Sequence, residues 1–343
     1  MFGQSLRLVP CAFLVATVAW IAPVWPCSVF TGHDATTVLA GNNEDSGTEY
    51  IYVVWFVPAS AGKYGYVAYG RSTLAQPEMM GGMNDQGVFW DGLSTPVHPV
   101  TTVGPNPVPS TFREEVMQAS ATVDEAIANL KQYDLTNSEF TTAQVLLVDK
   151  NGDSAIFDGT TVTKPTDNYL IGTNFLTADP TLGGWPCARY TTIENMMKQG
   201  LQLTVDYFRD IAKAAQQGTA VGATVFTRYT TIADLKAGKL YLYYERDFDN
   251  PIEFDLATEL AKGDNTYKMA DLFKQEPDAG VDAAVDAGVD AAVSGDSGAP
   301  ADTSDEGCSC ATGRGRPRSG SHSALPWLAL LLAVVIRLRP RRR

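Results

Sequence analysis

Cys27 is the residue of this 343-residue chain with the most chemistry within reach. It sits in Trp25-Pro26-Cys27-Ser28-Val29-Phe30, directly after an N-terminal apolar segment, and Gly41-Asn42-Asn43-Glu44-Asp45 follows at short range. If the chain is cut in front of Cys27, a thiol-bearing side chain and a free α-amine sit on the same carbon. The thiolate can then attack a carbonyl while the amine handles protons, with no histidine required. Histidine is scarce in any case: His33, His98 and His322 are the three present. A Ser-His-Asp or Cys-His arrangement is therefore disfavoured. A free amine also needs an acceptor to orient it, and Asp45 is the nearest candidate. Read alone, Asn-Asn-Glu-Asp is equally a polar loop.

Both ends of the chain have the character of addressing segments. Residues 1–26 carry Arg7 and an apolar run from Leu8 to Trp25 broken by Pro10, Thr17 and Pro23, the pattern of an export signal. Pro26 is a poor last residue before a signal-peptidase cut. A better cut follows Ala22 and leaves the stub Pro23 to Pro26, which the Cys27 thiol itself is placed to remove. Lipidation of Cys27 is disfavoured, because Trp25 and Pro26 are not the small residues that a lipoprotein signal needs. Residues 275–306 read as an acidic linker: Pro277 to Asp305 repeats Val-Asp-Ala, has no lysine or arginine, and lacks the apolar bulk to fold. Residues 307–343 hold Cys308 and Cys310, the apolar run Ala324 to Ile336 and a terminal arginine cluster, which fits a membrane anchor with its arginines on the cytoplasmic side. This layout resembles the C-terminal surface-sorting signal of myxobacteria. That resemblance implies a membrane-anchored, exported protein at the periplasm or cell surface, with processing at one of these two cysteines.

Between these ends, residues 27–274 are long enough for one substantial core. They carry 17 basic and 30 acidic side chains, a balance of −13 that argues against nucleic acid as a partner. Cys11 falls in the export segment, so Cys27 and Cys187 are the cysteines of the core, each within Trp-Pro-Cys. An exported chain permits a Cys27–Cys187 disulfide, which would make the domain a surface-anchored binding module.

The elements that must position Cys27 follow from local pattern. Short β-prone runs at 27–30 and 36–40 flank Gly32-His33-Asp34 as a hairpin and return Asn42 to Asp45 towards the cysteine. Tyr50 to Val57 reads as a buried strand, and Met80 to Val88 as a turn between apolar flanks. Residues 96–110, rich in proline and threonine, read as a surface loop at a substrate entrance. Thr122 to Glu125 is a capping box opening a helix with Val123, Ile127 and Leu130 inward. Gln144 to Val148 and Ser154 to Phe157 flank a hairpin turn, and Tyr169 to Thr173 is a strand ending at Asn174. A helix with Tyr190, Ile193, Met196 and Met197 inward ends at Gly200, and a second covers about 205–215. Lys239 to Glu245 is a strand, with Phe248 to Phe254 as an edge strand interrupted by Pro251. Strands, then helices, then strands predict helices on the outer faces of two antiparallel sheets.

In order along the chain, Cys27, Gly41-Asn42-Asn43-Glu44-Asp45, Gly82 to Val88, Gly172-Thr173-Asn174, Cys187-Ala188-Arg189-Tyr190, Thr230 to Lys236 and Leu240 to Tyr244 together resemble the choloylglycine hydrolase and penicillin V acylase family of linear-amide hydrolases, and its related acyltransferases. The resemblance spans roughly residues 27–260. It implies an α+β, four-layer αββα N-terminal-nucleophile hydrolase fold. It implies Cys27 as nucleophile, Asp45 as orienter of its amine, Asn174 as oxyanion donor and Arg189 as an active-site arginine. Ser94 falls near the second oxyanion position, where relatives carry asparagine or tyrosine. Asn42 stands where many members have an arginine beside the thiolate, a charge that would lower the thiol pKa. The implied reaction attacks a small-molecule N-acyl amide, releases the amine and hydrolyses an acyl-thioester, with no metal or organic cofactor. Transfer of the acyl group to an amine shares the same first half. Trp55, Phe56, Phe89 and Trp90 are candidates to hold an acyl group, or equally to be core.

Overall fold

In the computed structural model, which describes residues 27–72, 77–219 and 223–274, alternating apolar side chains assemble two antiparallel sheets. The chain runs β1 (Ser28–His33), β2 (Val38–Ser46), β3 (Ile51–Val57), β4 (Tyr66–Ser72), β5 (Pro77–Asn84) and β6 (Val88–Ser94). Helices α1 (Phe112–Ala119) and α2 (Val123–Leu130) follow, then β7 (Ala143–Asp149), β8 (Ser154–Phe157), β9 (Val162–Thr163) and β10 (Tyr169–Gly172). Next come α3 (Ala188–Gly200) and α4 (Val205–Ala214), then β11 (Phe226–Asp234), β12 (Lys239–Tyr244), β13 (Asp247–Asp255) and β14 (Asn265–Lys268). One sheet has the order β10-β1-β2-β11-β12-β13, the other β14-β3-β4-β5-β6-β7-β8-β9.

Three apolar layers hold the stack. Val29, Val54, Phe56, Phe89 and Leu146 pack between the sheets. Ile193, Met197, Phe208 and Ile211 of α3 and α4 cover Phe30, Leu39, Ile171 and Ile232 on the first sheet. Phe112, Val116, Val123 and Leu130 of α1 and α2 cover Val53, Trp90 and Leu147 on the second. Each such side chain contributes about 1.5–3 kcal/mol on leaving water. The result is the four-layer αββα arrangement that the pattern predicts.

Several local expectations are met with a physical reason attached. Thr122 accepts from the Glu125 N–H at 3.2 Å and Glu125 accepts from the Ala121 N–H at 2.7 Å, so α2 opens on reciprocal caps, with Val123, Ile127 and Leu130 buried. The β1–β2 hairpin turns on Asp34, whose Oδ1 accepts from the Thr36 and Thr37 N–H groups. β13 is an edge strand, and its pairing with β12 shifts between Leu242 and Tyr244. Other features differ. Residues 42–45 are no loop: β2 continues through Ser46 and all nine of its residues are buried. Met80 to Asn84 belong to β5, and the turn is confined to 85–87. Gly81 and Gly82 are not turn residues there. A Cβ on Gly81 would lie 2.3 Å from Asp91 and 2.5 Å from the Tyr69 ring, so glycine makes room for that pair.

The export segment 1–26, the linker 275–306 and the Cys motif, apolar run and arginine cluster of 307–343 lie outside the described residues. Among the described residues, no helix is long and apolar enough to cross a membrane.

Candidate active site

Strand alternation decides which side chains of β2 can meet Cys27. Val38 and Ala40 face the inter-sheet core and Leu39 faces the helices. The same period carries Asn42 and Glu44 between the sheets, and Asn43 and Asp45 under α3 and α4. Asn43 accordingly donates to the Ala212 carbonyl of α4 at 2.9 Å. Gly41 is obligatory in this stretch, because a Cβ there would lie 2.9 Å from the Phe30 ring. Ser28 pairs with Asn43 across the β1–β2 ladder, so Cys27 falls opposite Glu44.

On its nitrogen side, Cys27 is held by three elements at once. Its N–H donates to Asn174 Oδ1 at 2.9 Å. Arg189 Nη2 donates to the same oxygen at 2.7 Å, and Arg189 Nη1 donates to the Cys27 carbonyl. Asp45 Oδ2 lies 3.5 Å from Arg189 Nη1, while Asp45 Oδ1 accepts from Thr227 Oγ1 at 2.6 Å. The structure thus brings together Cys27, Asp45, Asn174 and Arg189. Asn174 Oδ1 is the acceptor for the Cys27 peptide N–H, and the Asp45 carboxyl meets Arg189 and Thr227. Asn174 Nδ2 donates to the Ser94 carbonyl at 2.9 Å, so Ser94 meets the site through its backbone.

Two supports of this side carry no local signal in the sequence. Buried Gln144 of β7 donates to the Thr173 and Phe175 carbonyls at 3.0 and 2.8 Å and accepts from the Thr177 N–H at 3.0 Å. It clamps the segment that bears Asn174. Phe175, Trp185 and Tyr190 stack edge-on with centroids 4.7–5.3 Å apart and seat the first turn of α3, from which Arg189 projects. Cys187 packs into this aromatic group. Cys27 and Cys187 are both buried thiols, so the disulfide of the binding-module alternative is absent.

The sulfur side is different. The Cys27 thiol donates to Glu44 Oε2 at 3.4 Å. Glu44 is 2 % exposed. Behind it Asp91, also buried, accepts from Tyr69 Oη at 2.9 Å. Asn42 Oδ1 accepts from the Thr231 N–H at 2.9 Å and the Thr231 hydroxyl at 2.7 Å. Burial raises the Glu44 carboxyl to about 7, against the pull of the thiol hydrogen bond and of Arg71. Burial likewise raises Asp45 to about 8, outweighing Arg189 and Thr227. The Cys27 thiol is pushed up by burial and then by the charges of Glu44 and Asp45. In the uncut chain the Cys27 nitrogen is a peptide amide and brings no charge. An α-ammonium formed there would add a cation beside three buried acids.

An open cleft enclosing about 760 Å³, mouth included, reaches Cys27 past Trp90, Leu93 and Ser94. Two ion pairs line it: Arg71–Glu78 at 2.9 Å, and Arg113–Glu139, in which Arg113 Nε donates at 2.9 Å. Of the four aromatic candidates, Trp90 lines the cleft. Phe56 and Phe89 belong to the inter-sheet core, and Trp55 to the layer under α1 and α2. The 96–110 loop contributes no lining residue.

No family model matches the sequence, and no curated protein sequence matches it. Solved structures do. A mutant of the conjugated bile acid hydrolase of Clostridium perfringens superposes with TM-score 0.56 at 16% identity, covering 70% of this chain and 96% of that one. A variant of the same enzyme gives 0.55 at 17%, covering 71% and 97%. The chain has the bile acid hydrolase fold. Penicillin V acylase from Agrobacterium tumefaciens aligns with TM-score 0.48 at 15% identity over 68% of this chain and 87% of its own. Within this fold, Cys27 directly precedes β1, second in order across the smaller sheet, and packs at the seam between the two sheets.

Proposed function

We propose that this chain is an exported amidase that hydrolyses a linear N-acyl amide through Cys27 and an acyl-thioester. The observation that carries the reading is the placement of Cys27. A buried thiol meets the floor of a cleft, while its own nitrogen and carbonyl are fixed by Asn174 and Arg189. Removing the residues before Cys27 turns that fixed nitrogen into a free α-amine two carbons from the sulfur. The likeness to a bile acid hydrolase supports the same chemistry. The thiolate attacks the amide carbonyl, Asn174 and a backbone N–H stabilise the oxyanion, the amine departs and water cleaves the thioester. Charged pairs on the cleft wall favour a substrate with hydrogen-bonding groups beside the scissile amide, since an aliphatic chain packed on them would strip their hydration. The C-terminal segment holds the enzyme at the membrane or cell surface after export.

The test is release of free amine from a panel of bile-salt conjugates, phenoxyacyl penicillins, acyl-homoserine lactones and other N-acyl amines. Wild type cleaves at least one class. Cys27→Ala cleaves none and melts at the wild-type temperature, because one small side chain is lost from a large core. Turnover by Cys27→Ala at the wild-type rate overturns the assignment.

A further inference from the structure

The cysteine's two functional atoms have separate partners: the nitrogen bonds Asn174, and the sulfur bonds a carboxylate. Glu44 reaches the thiol because it lies opposite Cys27 on the neighbouring strand with its side chain on the same face. We propose that Glu44 is a catalytic residue of this site, taking the Cys27 thiol proton as sulfur attacks and delivering it to the departing nitrogen. This rests on the amidase reading above. In the first half, the S–H bond breaks and an O–H bond forms on Glu44 as the S–C bond forms. The carbonyl π pair moves to oxygen. When the C–N bond breaks, the Glu44 proton goes to the nitrogen and the amine leaves neutral. In the second half, Glu44 takes a proton from water as its oxygen attacks the thioester. The C–S bond then breaks and that proton returns to sulfur. The terminal amine, anchored at Asn174, serves throughout as a fixed cation.

The surroundings suit a proton carrier. A carboxyl near 7 matches its affinity to a working pH near neutral. The charged and titratable groups facing it are Cys27 from the start of β1, Arg71 of β4, Glu78 of β5 and Asp91 of β6. Tyr52, Tyr69 and Tyr229 complete the set from β3, β4 and β11, with Asp45 adjacent on β2. Arg71 is the cation among them, and it is engaged by Glu78.

The experiment compares two readouts that a merely electrostatic neighbour would move in one direction together. In trimmed, exported protein, iodoacetamide labelling of Cys27 is followed against pH by peptide mass spectrometry, and kcat is measured on the best amide of the panel. Glu44→Gln removes a negative charge beside the sulfur, so the labelling midpoint moves to lower pH and more thiolate is present. If Glu44 carries the proton, kcat nevertheless falls about 10²-fold and the acid limb of its pH profile is lost. A kcat that holds or rises with the thiolate fraction overturns the proposal. A labelling midpoint that does not move overturns the Glu44–thiol contact itself. Should Glu44→Gln fail to fold, Glu44→Asp withdraws the carboxylate by one methylene: a lowered kcat supports the role and an unchanged one overturns it. If wild type cleaves nothing on the panel, the amidase reading fails instead, and the labelling arm still reports on the contact.

Discussion

The two sides of Cys27 are built on opposite principles. On the nitrogen side every group has a counterpart: Asn174 receives Cys27 and Arg189, Arg189 also faces Asp45, and Asp45 receives Thr227. Gln144 and the Phe175–Trp185–Tyr190 stack fix that arrangement from behind. On the sulfur side two buried carboxyls, Glu44 and Asp91, stand among tyrosines, and the nearest cation, Arg71, is shared with Glu78. The first side is a preset scaffold whose disruption leaves a buried charge unpaired. The second is balanced by protons, so its state follows pH and the charge on the Cys27 nitrogen.

The sharpest way to break this contrast is at Asn174, where one amide serves the scaffold through Oδ1 and donates its Nδ2 to the Ser94 carbonyl on the cleft wall. Asn174→Ala is expected to lower kcat by about 10²–10³ and to lower the melting temperature, because Arg189 and Cys27 lose their shared acceptor. Asn174→Asp keeps the acceptor and adds a charge facing Arg189. It should recover the melting temperature without recovering kcat. If Asp restores both, Asn174 is scaffold alone and the oxyanion donor lies elsewhere.

Much of this site was legible in the sequence, and the rest was hidden for identifiable reasons. Cys27, Asn174 and Arg189 stand at ends of elements with local signals, and their convergence was what the resemblance to the amide-hydrolase family implied. Glu44 read as part of a polar run because its role depends on cross-strand register, which sets it against Cys27 seventeen residues away. Asn42 read only as the position where related chains carry an arginine, and the Thr231 that its Oδ1 binds lies on a strand nearly two hundred residues on. Gly81-Gly82 read as a turn, since only the fold reveals Asp91 and Tyr69 filling the space a side chain would take. Gln144 gave no signal at all, being one polar residue in an apolar strand whose three hydrogen bonds go to a distant segment.

Glu44 on the sulfur side and Asp45 on the nitrogen side together make a prediction about stability with a definite sign. Glu44 and Asp45 sit at about 7 and about 8 in the folded uncut chain, above the 4.5 and 3.8 of the free side chains. Between those limits the folded state binds more protons than the unfolded one, so stability is fully present at low pH and falls as pH rises. The Cys27→Ala protein should therefore lose roughly 5–10 °C in melting temperature between pH 5 and pH 8. Adding Glu44→Gln should flatten the lower part of that decline. Melting curves across the range check both. A melting temperature that rises over this window would mean that Arg189 holds Asp45 and Arg71 holds Glu44 ionised, and the sulfur side would then be charge-paired as the nitrogen side is.

The smallest expected effect sharpens the contrast by lying outside both sides. Thr122 caps α2 on the outer face of the eight-stranded sheet, and its hydroxyl satisfies the Glu125 N–H. Thr122→Ala leaves that donor without its side-chain acceptor and should cost about 1 kcal/mol. In a domain of this size that corresponds to a fall of roughly 2–4 °C in melting temperature. Val123 at the first turn also donates to Asp149 Oδ2 of β7 at 3.0 Å, so the helix keeps its seat on the sheet and the loss stays local. Amide release per folded molecule should then be unchanged and its pH profile superimposable on wild type. A shifted pH profile would mean that strain in the outer layer reaches Glu44 through β7 and β6. In that case the sulfur side depends on the packing of the second sheet as closely as the nitrogen side depends on Gln144.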